Sequence, residues 1–194
     1  FKGLQEQLDD SLRRLKVDVI DIYLFHWPDP DTPDERAAES IAKLKETGKF
    51  KHFGVSNFSL EQIDVIDKII PVEVLQPAYS IFDRRREKLI ETCAARNIGI
   101  MTYGSLAGGL LTGKFKEKPK FEKDDTRDSF YPFFKDELWD KSMAVIDDLR
   151  LIAEERGRPL SELAINFVSQ DSHVHTALVG AKNPAQVEAN AAAS

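Results

Sequence analysis

Apolar residues along the chain alternate between two rhythms. Leu4, Leu8, Leu12 and Leu15 fall on one helical stripe with charges between them, so an amphipathic helix opens the pattern. The run Val19-Ile20-Asp21-Ile22-Tyr23-Leu24-Phe25 then reads as a strand enclosed on both faces, stopped by His26-Trp27-Pro28. Thr32-Pro33-Asp34-Glu35 offers an N-cap, a proline at the first helical position and a returning carboxylate, ahead of a face made by Ala38, Ile41, Ala42 and Leu44. Gly48 closes that helix. A second strand, 51–55, precedes a capping box of Ser59 and Gln62, which opens a helix carrying Ile63, Ile66 and Ile70 and stopped by Pro71. A third strand spans 72–75. The helix 87–96 turns Leu89, Ile90, Cys93 and Ala94 inward, and a fourth strand covers 98–102. The pattern loosens from Leu106 to about Lys135, a length that marks a functional or mobile loop. A helix over 137–156 follows, with Leu138, Ile146, Leu149 and Ile152 inward and Gly157 at its end, then a shorter helix from Ser161. The fifth strand is 176–179. Asn183 caps a last helix with Pro184 at its first position, and the chain is expected to end inside it.

Strands and helices that alternate at similar intervals imply an α/β fold with a parallel sheet covered by helices. The polar punctuation chooses among versions of that fold. His26, Ser56-Asn57, Gln76, Tyr103-Gly104-Ser105 and Gly180-Ala181-Lys182 all follow a strand, the end at which a (β/α)8 TIM-type barrel carries its chemistry. A doubly wound sheet would concentrate its chemistry at a switch point and carry a G-x-G-x-x-G fingerprint, which this sequence lacks.

Composition narrows the function classes. The 194 residues suit one domain, 1–194, and 42% hydrophobic with 31% charged residues is ordinary for a globular protein. A formal charge of −6 argues against a nucleic-acid surface. No run approaches a membrane span and the start shows no signal-peptide pattern, so a cytoplasmic location is expected. The lone cysteine, Cys93, lies in an apolar helical pattern and reads as packing. Arg84-Arg85-Arg86, flanked by Asp83 and Glu87, reads as a solvated helix start. His52, His173 and His175 show no metal-ligand spacing, and no metal is expected.

From about Leu8 to Asn190 the strand ends resemble those of the aldo-keto reductase family. The resemblance rests on Ser11-Leu12-Arg13-Arg14-Leu15 with Asp18 and Asp21, on His26-Trp27-Pro28, on Gly54-Val55-Ser56-Asn57-Phe58, and on Gln76 with Tyr79-Ser80. It continues through Tyr103-Gly104-Ser105-Leu106-Ala107-Gly108-Gly109-Leu110-Leu111-Thr112-Gly113-Lys114 and Gly180-Ala181-Lys182-Asn183-Pro184 with Gln186 and Asn190. What it implies is a metal-free barrel that passes hydride between NADP(H) and an aldehyde or ketone. By the same resemblance, Ser56, Asn57 and Gln76 hold the nicotinamide amide and Tyr103 stacks on its ring. Ser105 with Leu106 then lies along the pyrophosphate, Gly104 and Gly108 are cofactor-binding as well, and Gly180, Ala181, Lys182, Gln186 and Asn190 surround the adenosine 2′-phosphate. His26 faces the carbonyl of a small substrate, with Trp27 beside it. Gln186 and Ala189 stand where many relatives carry arginine and glutamate, which leaves NAD(H) open as the cofactor. Chemistry agrees: an amide needs donors and acceptors, a ring needs a flat face, and a phosphate suits a helix start with a cation. The glycines after Tyr103 are expected to admit the ligand, with the 116–135 segment folding over it.

Against the family pattern, five strands correspond to the fourth to eighth of a barrel that needs eight. The family's proton-donating tyrosine, with its lysine and aspartate, is expected upstream of this sequence. Tyr23, Tyr79 and Tyr103 do not replace it. An incomplete barrel exposes sheet edges, so completion by upstream sequence or self-association through the open edges is expected. Two functions follow. One is an NADP(H)-dependent carbonyl oxidoreductase of which this is the carboxyl-terminal part, inactive alone. The other is a non-catalytic nucleotide-binding regulatory or assembly subunit on the same fold.

Overall fold

A computed structural model describes residues 2–193. Five parallel strands form one sheet in the order β1-β2-β3-β4-β5, so the fold is α/β as the alternation predicts. They are β1 (Ile20–Phe25), β2 (Phe50–Ser56), β3 (Val74–Gln76), β4 (Gly99–Thr102) and β5 (Thr176–Ala177). The chain divides into two units, 1–77 with 88–101 and 78–87 with 102–194.

In the first unit, α1 (Lys2–Leu15), α2 (Asp34–Lys45), α3 (Leu60–Asp67) and α4 (Glu87–Ala94) separate the strands. Their apolar stripes supply a core of Leu8, Ile41, Leu44, Ile63, Ile66, Ile90 and Cys93 that meets Phe53, Val55, Leu75 and Ile100 from the sheet. The predicted capping box is present: Ser59 Oγ accepts from the Gln62 N–H, and the Gln62 side chain accepts from the Ser59 N–H.

Register explains one glycine. Leu24 lies opposite Gly54, which lies opposite Val74 across β1, β2 and β3. A Cβ on Gly54 would stand 2.4 Å from the Val74 carbonyl oxygen and 2.5 Å from a Leu24 methyl. The three strands therefore reach their spacing only with hydrogen at that position.

The second unit holds two 3-10 turns, Ala107–Thr112 and Pro132–Phe134, and the helices α5 (Arg127–Phe130), α6 (Asp136–Glu155), α7 (Leu160–Ser169) and α8 (Pro184–Ala191). Its core gathers Ala107, Leu110 and Leu111 with Phe133, Phe134, Ile146, Ala153, Leu160 and Ala164. The N–H of Leu178, the residue after β5, donates at 2.8 Å to the carbonyl of Thr102, the last residue of β4. Among the described residues no helix is long and apolar enough to cross a membrane.

Several expectations need correction. β1 is not enclosed on both faces: Asp21 and Ile22 are exposed, and Tyr23, Leu24 and Phe25 are only partly buried. Among the described residues it pairs only with β2. Thr32 does not cap α2. Its hydroxyl donates to Asp29 at 2.8 Å within the preceding turn, and Pro33 takes the cap position without a side-chain bond. Leu15, Leu138 and Ile152 point outward, while Ser142 and Ala153 join Ile146 inside. The last helix ends at Ala191, with Ala192 as its C-cap. The 106–135 stretch is not uniformly irregular, because Phe133 and Phe134 anchor its end in the core.

Replacing Gly54 with alanine should destabilise the fold by about 3 kcal/mol through overpacking. A urea midpoint unchanged from the parent would refute the close three-strand approach.

Candidate functional site

The candidate residues fall into two groups, one in each unit. In the first unit they sit where β1, β2 and β3 end. Ser56 and Gln76 are register partners, and the buried Ser56 hydroxyl donates to the Gln76 carbonyl at 2.8 Å. Asn57 follows Ser56 with φ +67°, a conformation asparagine tolerates better than most residues. That reversal swings its amide back, and Nδ2 donates to the His26 carbonyl at 3.0 Å and to Ser56 Oγ at 3.1 Å. His26 is thereby held by its backbone, with its imidazole exposed and its ring centroid 6.2 Å from that of Trp27. Gln76 has one side-chain contact among the described residues, a weak one from Nε2 to Met101 Sδ at 3.7 Å. Its amide oxygen keeps its acceptor capacity.

The second group is built on the glycine-rich turn after β4. Tyr103 is half-buried beside Phe130, with ring centroids 6.4 Å apart. Gly104, Gly108 and Gly109 all have positive φ. Gly108 was expected to leave room for a ligand, yet the Tyr131 ring lies against it, so that a Cβ there would come within 2.8 Å of that ring. Ser105 is buried, and its hydroxyl has no partner among the described residues. Arg127 reaches back from the loop: Nη1 donates to the Gly108 carbonyl at 3.2 Å, and its plane stands 4.5 Å from the centre of the Phe121 ring. Asp125 holds the same guanidinium, accepting from Nε at 2.9 Å and from Nη2 at 2.5 Å. That pairing carries the Asp125 carboxyl down to about 2.

Gly180, Ala181 and Lys182 precede α8, whose cap is the predicted Asn183, accepting from the Gln186 N–H at 3.0 Å. Gln186 in turn accepts from the Lys182 N–H at 2.6 Å, and Asn190 donates to the Gly180 carbonyl at 3.3 Å. These residues are therefore brought together, with Gln186 and Asn190 shaping the turn. Arg84 and Arg85 are engaged by Glu87 and Asp83, in keeping with a charged helix start.

Sequence reasoning missed Asp125, Arg127 and Tyr131. An Asp-x-Arg spacing ahead of the aromatic run Phe130-Tyr131-Pro132-Phe133-Phe134 was the available signal. It also missed how the tyrosines titrate. Burial raises the hydroxyl pKa of Tyr23, Tyr103 and Tyr131. Tyr79 is raised furthest, first by burial and then by donating to Asp171 at 3.0 Å, with Glu87 at 3.2 Å adding to the effect.

The model of the aldo/keto reductase family matches residues 2–194. An aldo-keto reductase of Bacillus subtilis, YhdN, is 39% identical over 186 residues, covering 95% of this chain and 56% of the relative. L-glyceraldehyde 3-phosphate reductase of Escherichia coli is 28% identical over 201 residues, covering 97% of this chain and 57% of that protein. Among solved structures, the glycerol dehydrogenase AKR11B4 of Gluconobacter oxydans superposes with a TM-score of 0.85 at 37% identity, over 96% of this chain and 57% of that one. The chain thus spans 56–57% of the length of these proteins.

A carboxyl group depressed in the folded state stabilises it fully above the unfolded value. The Asp125 contribution is therefore complete above about pH 4 and lost as pH falls towards about 2. Asp125→Asn should flatten the acid limb of a thermal midpoint measured from pH 5 to pH 2. An unchanged limb would show that the ion pair does not form.

Proposed function

The chain belongs to the aldo/keto reductase family, and from that premise we propose that it forms the cofactor-binding and carbonyl-orienting part of an NADP(H)-dependent oxidoreductase acting on aldehydes or ketones. The observation that carries the reading is Gln76, a side-chain amide at a strand end whose side-chain bonds among the described residues amount to one weak contact with sulfur. It fits a ligand that itself carries an amide, because donor and acceptor can be met together. Ser56 and Asn57 act behind it, fixing the strand ends by hydrogen bonds within the chain.

Bound NADPH supplies the hydride. The chain's own residues bind and orient. Tyr103 offers an aromatic face for the ring, and Lys182 a cation for a phosphate at the start of α8. The glycine turn takes a ligand only beside or in place of the Tyr131 ring that covers Gly108. The exposed His26 imidazole, its backbone fixed by Asn57, can donate a hydrogen bond to a carbonyl oxygen while Trp27 flanks it. NADH is the alternative cofactor, since Gln186 is already used within the turn and brings no charge to a 2′-phosphate.

A second reading, a nucleotide-binding regulatory or assembly subunit without turnover, is supported by the 29% identity over 200 residues to a probable voltage-gated potassium channel subunit beta of Arabidopsis thaliana. On that reading the chain binds a nucleotide and His26 has no reaction to serve.

Fluorescence titration should show NADPH binding to the chain, weakened about fivefold by Gln76→Ala, the worth of one net hydrogen bond. Tyr103→Ala should weaken it too. Equal affinity in parent and Gln76→Ala would remove the amide assignment. Turnover of a small aldehyde by the chain would exclude the binding-only reading, and binding without turnover would support it.

A further inference from the structure

We propose that Asp125 is a built-in competitor for the Arg127 guanidinium: the chain's own carboxylate fills the fork at which Arg127 would meet a ligand phosphate, so the phosphate enters by displacing Asp125. The proposal rests on the dinucleotide reading above for the identity of the ligand.

The geometry is that of an oxyanion site with its anion in place. Asp125 Oδ1 accepts from Arg127 Nε at 2.9 Å and from the Arg127 backbone N–H at 3.1 Å, while Oδ2 accepts from Nη2 at 2.5 Å. This two-pronged side of a guanidinium receives carboxylate and phosphate oxygens in the same way. Two other contacts place the guanidinium without Asp125. Nη1 is bonded to the Gly108 carbonyl at 3.2 Å, and the Phe121 ring lies 4.5 Å from the guanidinium carbon. Arg127 is thus anchored to the glycine-rich turn by groups that remain if the carboxylate leaves.

Charge points the same way. Asp125 also feels the positive charge of Lys182, so one carboxylate stands among two cations. Its removal leaves both uncompensated, a favourable setting for an entering dianion. The exchange needs little chain movement, because Asp125 is two residues from Arg127 and not tied to it across the fold. Neutral pH does not release the carboxylate, which stays ionised down to about pH 2. Release therefore depends on a competing anion, and ligand affinity at this site is set by what Asp125 gives up.

The test is calorimetric titration of inorganic pyrophosphate into the chain, into Asp125→Asn and into Asp125→Asn with Arg127→Ala, with NADPH titrated in parallel. Asp125→Asn should bind pyrophosphate up to about fivefold more tightly than the parent, the scale of one partly exposed ion pair. Adding Arg127→Ala should abolish the gain. Equal or weaker binding by Asp125→Asn would overturn the proposal and make Asp125 a positioning residue for Arg127. A gain that survives Arg127→Ala would also overturn it, as would no pyrophosphate binding by any form. Near-UV circular dichroism checks that each variant is folded, and Asp125→Ser serves if Asp125→Asn is not. A gain for pyrophosphate without any NADPH binding would sink the dinucleotide reading while leaving the competition intact.

Discussion

The reversed backbone at Asn57 is the constraint on which the first group of candidate residues depends. With φ at +67°, the side-chain amide turns back over the strand ends and bonds both the His26 carbonyl and the Ser56 hydroxyl. The Ser56 hydroxyl passes the connection on to the Gln76 carbonyl. Three strand ends are therefore joined through one side chain and one buried hydroxyl. Because these bonds use the His26 and Gln76 backbones, both side chains stay available for other partners. A residue held by its main chain can offer its side chain without an entropic penalty from being loosely attached.

Much of this was legible in the sequence. Period and punctuation located all five strands and the main helices, and Ser59 with Gln62 and Asn183 with Pro184 behaved as capping chemistry requires. Local signals of this kind are short in range, and so are the interactions they report. What failed was mainly non-local. Composition cannot reveal how much of β1 stays exposed, and the local failure is Thr32, whose hydroxyl donates to Asp29 three residues upstream. Leu138 and Ile152 matched a helical stripe, yet they are exposed and α6 buries Ser142, Ile146 and Ala153 instead.

At the site the division is similar. Strand-end polar residues could be named in advance, since strand ends are where a parallel sheet presents side chains outside its core. The loop residues could not. Asp125, Arg127 and Tyr131 gain meaning only when Phe133 and Phe134 enter the core and pull the segment back onto the glycine turn. Two buried phenylalanines contribute on the order of several kcal/mol to holding that position. The absence of a side chain at Gly108, taken as an opening for a ligand, is equally what lets Tyr131 lie there.

The two groups place different demands on a ligand. The Gln76 amide has little to give up on binding, because its one side-chain bond among the described residues is a long one to sulfur. The Arg127 guanidinium has much to give up, being bonded on its fork by Asp125, on one nitrogen by Gly108 and on its face by Phe121. An incoming amide therefore meets little resistance at the first group, whereas an incoming phosphate enters the second only by exchange with the Asp125 carboxylate.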